Sequence, residues 1–375
     1  MNQDLKLISC WAKQWQVTFN PNKTEALFIS NSLNALPPNL LFENVPVQFV
    51  ESHKHLGLTL SSNGKWHDHI ENLVKSATKI LAMMRKIKFS VKRKTLEQMY
   101  VSFLRPILEY SSIVWDGCTT YEKDLIEKTQ HEAARIVTGL TRSVSLTNLY
   151  KEINWISLSE RRQYQKLILT FKIRSGETPD YVNELFPRTV DTTTPYALRN
   201  AGDFVIMNRR TELYSKSFVP SAVTLWNTLP PDIKSINTLS AFKHALSTNI
   251  FKSNSTPSYY YSGDRRLSVY HARLRNNCSN LNSDLFRNHL SLQSACDCGF
   301  EREDAEHYLL QCQLHTNERL KLFRDTRSFH PLNINILLFG SPELSYENNI
   351  TLFLAVSTFI KDTNRFTTTT STQQH

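Results

Sequence analysis

The sequence predicts a mainly α-helical α+β protein with a small β portion at its N-terminus. Glycine is sparse, at nine residues in 375. Long stretches after residue 62 space apolar residues three and four apart, the period of a helix with one buried face. Strand-like alternation is confined to residues 14–60, where turn-forming Pro, Asn and Gly punctuate short apolar runs.

In chain order, Val17 and Phe19, then Ala26 to Ile29, read as two short strands around Asn20-Pro21-Asn22-Lys23-Thr24. Residues 45–60 repeat the pattern, with Val45, Val47 and Phe49 alternating before Leu56-Gly57-Leu58. Two hairpin-like units seldom bury a core alone, so this block reads as incomplete. A helix follows, with Ile70, Leu73, Val74, Ala77, Ile80, Leu81, Met84 and Ile87 on one face and Lys75, Lys79 and Lys86 opposite. Further helical patterns run through 94–110, 121–139 and 158–174. Residues 180–200 read as a Pro/Thr-rich connector, 218–246 as a helix pair around Pro230-Pro231, and 251–264 as a linker with three tyrosines. The end, 367–375, is a polar tail.

Forty per cent hydrophobic residues suit a globular chain with real cores. The net charge of +10 points toward polyanionic partners. Six cysteines in so long a chain favour reduced thiols or a metal site over a disulfide framework. The N-terminus lacks a signal-peptide core, and no apolar run approaches the ~18–20 residues of a bilayer span. The expectation is a nuclear or cytoplasmic protein, not secreted, with no membrane partner. No G-x-S-x-G, Walker loop, H-E-x-x-H or dinucleotide fingerprint is present. His53, His55, His67 and His69 lack accompanying cysteines and read as solvated.

The sharpest local signal is Cys296-x-Cys298-x8-His307-x4-Cys312, four ligands within 17 residues that can close a tetrahedral zinc site. Gly299 lets the chain turn so that both leading thiolates face one point. Asp297, Glu301, Glu303, Asp304 and Glu306 against Arg302 make this segment acidic, so zinc is expected to be structural. Nucleic acid would meet the flanking Arg265, Arg266, Arg273, Arg275 and Arg287 instead. A second signal lies between Lys65 and Arg105, with ten Lys/Arg against three Asp/Glu. Lys75, Lys79, Lys86, Lys92, Arg93 and Lys94 there could track a phosphate backbone.

Trp11 to Glu25, W-A-K-Q-W-Q-V-T-F-N-P-N-K-T-E, resembles the fourth motif of non-LTR retrotransposon reverse transcriptases of the jockey-like kind. H-K-H-L-G-L-T-L (His53 to Leu60) is similar to their next motif, and L-R-P-I-L-E-Y-S-S-I-V-W (Leu104 to Trp115) to the helix that follows. Leu225-Trp226-Asn227-Thr228-Leu229-Pro230 and the C-x-C…H…C cluster resemble their downstream regions, so five segments appear in the family's order. The resemblance implies a partial fingers–palm–thumb polymerase. Residues 1–62 would be a palm remnant, 63–178 a helical thumb-like domain, 179–250 a helical connector and 251–264 a linker. Residues 265–330 would be the zinc module with its basic flank, and 331–375 a C-terminal helix and disordered tail. It implies an auxiliary role for Lys23 near nucleotide phosphates and a primer grip at His55, Leu56 and Gly57. The partners would be RNA and DNA as a hybrid, together with an upstream polymerase half.

Polymerase chemistry needs carboxylates for two Mg²⁺ ions. The sequence contains no Asp-Asp pair. The expectation is a fragment that binds nucleic acid without polymerising it, with Mg expected only in the full-length family enzyme. The alternative is an element-derived host protein acting as a zinc-stabilised binding or interaction module.

Overall fold

The computed structural model describes residues 1–30, 35–190, 202–208, 211–251, 256–329 and 331–366. The described chain is mostly helical, and its strands all fall between Glu25 and Ser61. It divides into two compact units. One comprises Met1–Ser76, Leu108–Ile126 and Gln165–Ser235; the other comprises Ala77–Ile107, Glu127–Tyr164 and Ile236–His375. Parts of the expected connector (191–201 and 209–210), linker (252–255) and tail (367–375) lie outside the described residues.

In the first unit, helix Asn2–Gln14 leads into a 3-10 turn, Pro21–Lys23, which the Asn20 side chain caps by accepting the Asn22 N–H. The strand expected at Val17 and Phe19 does not form. The Val17 N–H is taken by the Ala12 carbonyl at the helix end, and Phe19 packs edge-on against Phe42 instead. The strands stay in separate pairs: Glu25–Ala26 parallel to Gln48–Phe49, Leu41–Phe42 antiparallel to Val45–Pro46, and hairpin Ser52–His55 with Leu58–Ser61. Leu40, Phe42 and Val47 are the buried residues of the small core beside them, too few to knit a broad sheet.

Deeper in this unit, Trp226 is fully buried and donates its indole N–H to the Gly202 carbonyl at 3.1 Å. Asn227 bonds the Phe204 backbone in both directions, at 3.0 and 2.9 Å. The Trp-Asn pair thus satisfies backbone groups that burial would otherwise leave unpaired. His69, expected to be solvated, is buried between the rings of Trp66 and Trp115, and burial holds its imidazole below the usual pKa. Helix His67–Ile87 matches its sequence pattern closely: Ile70, Leu73, Ala77, Leu81 and Met84 are buried, whereas Lys75, Lys79 and Lys86 are exposed.

The second unit has a core in which Leu274, Leu281, Tyr308, Leu309 and Leu322 join Leu352, Val356, Phe359 and Ile360 of helix Tyr346–Asp362. The expected boundary between a 265–330 module and a C-terminal helix is therefore not a structural one; both segments share one core. Nor is the described part of 251–264 an open linker. Ser258–Tyr261 forms a 3-10 turn, with Tyr260 stacked on Phe353 at 5.4 Å and under the Arg275 guanidinium at 4.0 Å. Aromatic area of this kind favours packing over solvent exposure.

Glu152 sits at the centre of a buried ion cluster. Its carboxylate accepts from Arg93 Nη1 and Arg275 Nη2, both at 2.8 Å, and from Asn276 Nδ2 at 3.2 Å. Arg93 also donates to the Glu152 carbonyl at 2.8 Å and pairs with Glu97 at 3.2 Å. Burial pushes the Glu152 carboxyl pKa upward, but the two guanidinium groups prevail and hold it at about 2. His271 is also buried. Burial lowers its pKa to about 3, and its Nε2–H donates to the Leu337 carbonyl at 2.9 Å.

Acid should therefore destabilise this unit in two stages. As pH falls below about 6.5 toward 3, the unfolded chain binds a proton that buried His271 refuses. Below about 4.5, the Glu152 contribution, complete above that pH, is lost toward pH 2. Glu152→Gln should lower unfolding stability at pH 7 by about 3–5 kcal/mol, since two buried cations lose their shared anion. Lys75→Ala, at an exposed pair with Glu71, should change it by about 0.5 kcal/mol or less. Urea denaturation of the two variants across pH checks both; equal effects would contradict the cluster's importance.

Candidate metal centre and nucleic-acid interface

Local backbone geometry brings the four Cys/His side chains together. After Cys296 and Cys298 the chain reverses at Gly299, whose φ of +91° suits a residue without a Cβ. The Gly299 N–H bonds the Cys296 carbonyl and the Cys296 N–H bonds the Phe300 carbonyl, both at 2.9 Å, which closes the knuckle. Downstream, Asp304 Oδ1 caps the His307 N–H at 2.9 Å, and a π-turn His307–Gln311 delivers Cys312. Its wide i→i+5 bond, Cys312 N–H to His307 carbonyl at 2.7 Å, sets the histidine and the last cysteine on one side.

The four ligand atoms lie within 4.8 Å of one another. Cys296 Sγ and Cys312 Sγ are 3.7 Å apart, and Cys298 Sγ is 3.3 Å from His307 Nε2. A tetrahedral zinc with bonds of about 2.3 Å to sulfur requires sulfur–sulfur edges of about 3.8 Å. The donor set fits in chemistry as well. Each sulfur receives a backbone N–H from two residues on: Cys298 to Cys296, Phe300 to Cys298 and Leu314 to Cys312. Such bonds disperse the charge of three thiolates, which a single divalent ion does not fully neutralise. Burial pushes the Cys296 thiol up to about 12 and raises Cys312, whereas the Phe300 N–H leads in lowering Cys298. Burial also keeps His307 neutral at pH 7, the state in which Nε2 can ligate.

Two supporting residues escaped the sequence reading. Phe300 stacks on the His307 ring at 4.4 Å with an interplanar angle of 4°. Buried Arg319 donates to the Leu309 carbonyl at 3.2 Å and to the Cys312 carbonyl, tying the end of the π-turn to helix Thr316–Thr326. An aromatic residue directly after Gly299 was a usable signal; nothing local to Arg319 marked it. The segment's acidity is also partly neutralised: buried Glu303 pairs with Arg365 at 2.7 Å, and Asp304 with Arg302 at 3.2 Å.

The expected nucleic-acid residues divide sharply. Lys75, Lys79, Lys86, Lys92 and Lys94 are exposed. Arg93 and Arg275 are not; they are 3% and 6% exposed and committed to Glu152, so their charge serves the interior. Among the expected basic flank, Arg265 is buried against the carbonyls of Lys88, Ile136 and Val137, and Arg273 donates to the Gly139 carbonyl. Arg266 and Arg287 are exposed, the latter paired with Asp284 at 3.2 Å.

Lys23 is exposed at the end of its 3-10 turn. His55, Leu56 and Gly57 form the tip of the Ser52–Ser61 hairpin, where Leu56 and Gly57 both take positive φ, at +46° and +86°. The Tyr110 hydroxyl donates to the Leu56 carbonyl at 2.7 Å, and its ring lies 3.0 Å from where a Gly57 Cβ would stand. The hairpin tip and Tyr110 therefore meet in space.

No protein-family model matches the chain. Two curated proteins of Drosophila melanogaster are similar to it. "Probable RNA-directed DNA polymerase from transposon X-element" is 24% identical over 202 residues, 49% of this chain and 22% of that protein. "Probable RNA-directed DNA polymerase from transposon BS" is 22% identical over 165 residues, 43% of this chain and 18% of that protein. The chain is distantly related, over part of its length, to transposon RNA-directed DNA polymerases. The match spans about a fifth of each relative.

If the Cys/His cluster holds zinc, purified protein should carry one zinc per chain by elemental analysis. Cys312→Ser should remove it, while Cys10→Ser, at an exposed cysteine outside the cluster, should not. Chelation should lower the melting temperature, because metal affinity for the folded state is folding free energy. Metal-free protein with an unchanged melting temperature would contradict the assignment.

Proposed function

We propose that this chain is a thumb-side part of a non-LTR, jockey-like reverse transcriptase that holds an RNA–DNA hybrid without polymerising it alone. The observation that carries the reading is the lysine face of helix His67–Ile87. Lys75, Lys79 and Lys86 recur on one side of a long helix whose opposite side is buried. Such a row can follow a phosphate backbone by neutralising successive phosphates and releasing counterions. Lys92 and Lys94 extend the positive surface past the helix end.

Distant similarity to transposon polymerases supports the choice of nucleic acid over other polyanions. The hairpin tip at His55, Leu56 and Gly57, backed by Tyr110, is suited to press on a primer end, and exposed Lys23 to approach a phosphate. The Cys/His centre takes a scaffolding role, with zinc closing the segment and no part in chemistry. The two-metal site of nucleotide transfer calls for clustered carboxylates. Without an Asp-Asp pair, the polypeptide is assigned binding rather than catalysis.

Hybrid binding measured by fluorescence anisotropy should weaken steeply between about 50 and 200 mM salt. Replacing Lys75, Lys79 and Lys86 together by Gln should weaken it and reduce the salt slope by about 3, since three phosphates would no longer be neutralised. A flat salt response, or unchanged binding by the triple variant, would remove the thumb-helix reading. Primer extension on an RNA template with Mg²⁺ or Mn²⁺ should yield no product; templated synthesis would overturn the non-catalytic assignment.

A further inference from the structure

A cavity of about 220 Å³ in the second unit is lined by six cationic side chains, Arg85, Lys88, Arg135, Arg142, Arg265 and Arg273, and one carboxylate, Glu132. Glu132 is shared among three of them: Arg85 at 3.0 Å, Arg142 at 3.2 Å and Arg135 at 3.7 Å. One negative charge therefore answers six positive ones. Lys88 has no carboxylate partner among the described residues, and the buried Arg135 Nε–H finds no acceptor there.

The cavity sits beside the end of helix Thr120–Thr138, where exposed carbonyls would ordinarily repel an anion. Here they are covered. Arg265 donates to the Ile136 and Val137 carbonyls at 3.0 and 2.7 Å, and Arg273 Nε donates to the Gly139 carbonyl at 2.8 Å. These bonds anchor both guanidinium groups at the cavity wall. Arg142, whose side chain is 81% exposed, and half-exposed Arg85 stand at the accessible side.

We propose that this cavity is a phosphate-binding site, taking either a free phosphate or pyrophosphate or one phosphodiester of a nucleic-acid strand. Its volume is below the ~300–1,000 Å³ typical of drug-sized ligands and suits a compact anion. Fixed guanidinium forks match tetrahedral oxyanions in charge and geometry. The inhospitable setting for cations without an anion is visible in two side chains. Burial, then the neighbouring Arg273, Arg265 and Arg85, lowers the Lys88 pKa; burial, then Arg93, brings Arg265 down to about 10. A bound phosphate would relieve that repulsion. The inference stands on charge and geometry and does not need the hybrid-binding reading.

The test is calorimetric titration of the full chain with inorganic phosphate, pyrophosphate and a short single-stranded oligodeoxynucleotide. Wild type is compared with Arg142→Gln, Lys88→Gln and the Lys75/Lys79/Lys86→Gln triple variant. Arg142 is on the surface and Lys88 has no carboxylate partner, so both substitutions should leave the fold intact, as circular dichroism would check. Each should weaken the bound ligand by about tenfold, the effect of one charge-assisted hydrogen bond. The triple variant should leave pyrophosphate binding unchanged. Phosphate or pyrophosphate binding with this pattern assigns a free anion site; oligonucleotide binding alone with this pattern assigns a phosphodiester site. Pyrophosphate binding that persists while the hybrid fails to bind would remove the proposed function and leave this site standing. No binding by any of the three, or binding that both single substitutions leave unchanged, overturns the proposal.

Discussion

Glu152 is the point on which the second unit depends. One carboxylate joins Arg93, at the start of a helix, to Arg275, at the end of another far along the chain. Isolated burial of any of these charges would cost several kcal/mol, and only their mutual satisfaction makes the interior tolerable. Arg275 in turn lies over Tyr260, which stacks on Phe353 of the final long helix. The cluster thus ties together segments that lie far apart in the chain.

This constraint changes how the basic character should be understood. A surplus of +10 is a property of the whole sequence, but its parts do different work. Arg93 and Arg275 are spent on Glu152, and Arg265 on helix-end carbonyls. What remains outward includes the row of lysines along helix His67–Ile87 and its continuation, together with Arg85, Arg142, Arg266 and Arg287. Guanidinium groups supply several fixed donors and tolerate burial against carbonyls and carboxylates, whereas ammonium groups keep their water.

Legibility from the sequence followed the range of the interactions. Helix His67–Ile87 was readable because its buried residues recur at a local period, and the Cys/His cluster because its ligands lie within one short segment. The hairpin tip at Leu56-Gly57 was readable from its turn. Arg93 and Arg275 were not, since their partner is 59 and 123 residues away and no local pattern announces it. His69 misled for a partly similar reason: Trp66 is close in the chain, but Trp115, the other ring against it, is far along the sequence. Tyrosines 259–261 read as linker because Ser, Pro and Gly surround them, yet Tyr259 and Tyr260 pack against Phe353, and Tyr261 meets Arg93 and Glu97. The strand at Val17 and Phe19 lost its backbone to the end of the preceding helix.

Under the proposed function, the Cys/His centre and the lysine face have separate duties, one holding the chain in shape and the other meeting the ligand. Photo-cross-linking tests that division most directly: an RNA–DNA hybrid carrying 4-thiouridine is irradiated with the full chain and the attached peptides are mapped by mass spectrometry. Attachment within residues 67–94 is the predicted result. Attachment confined to residues 296–312, or none at all, would contradict it.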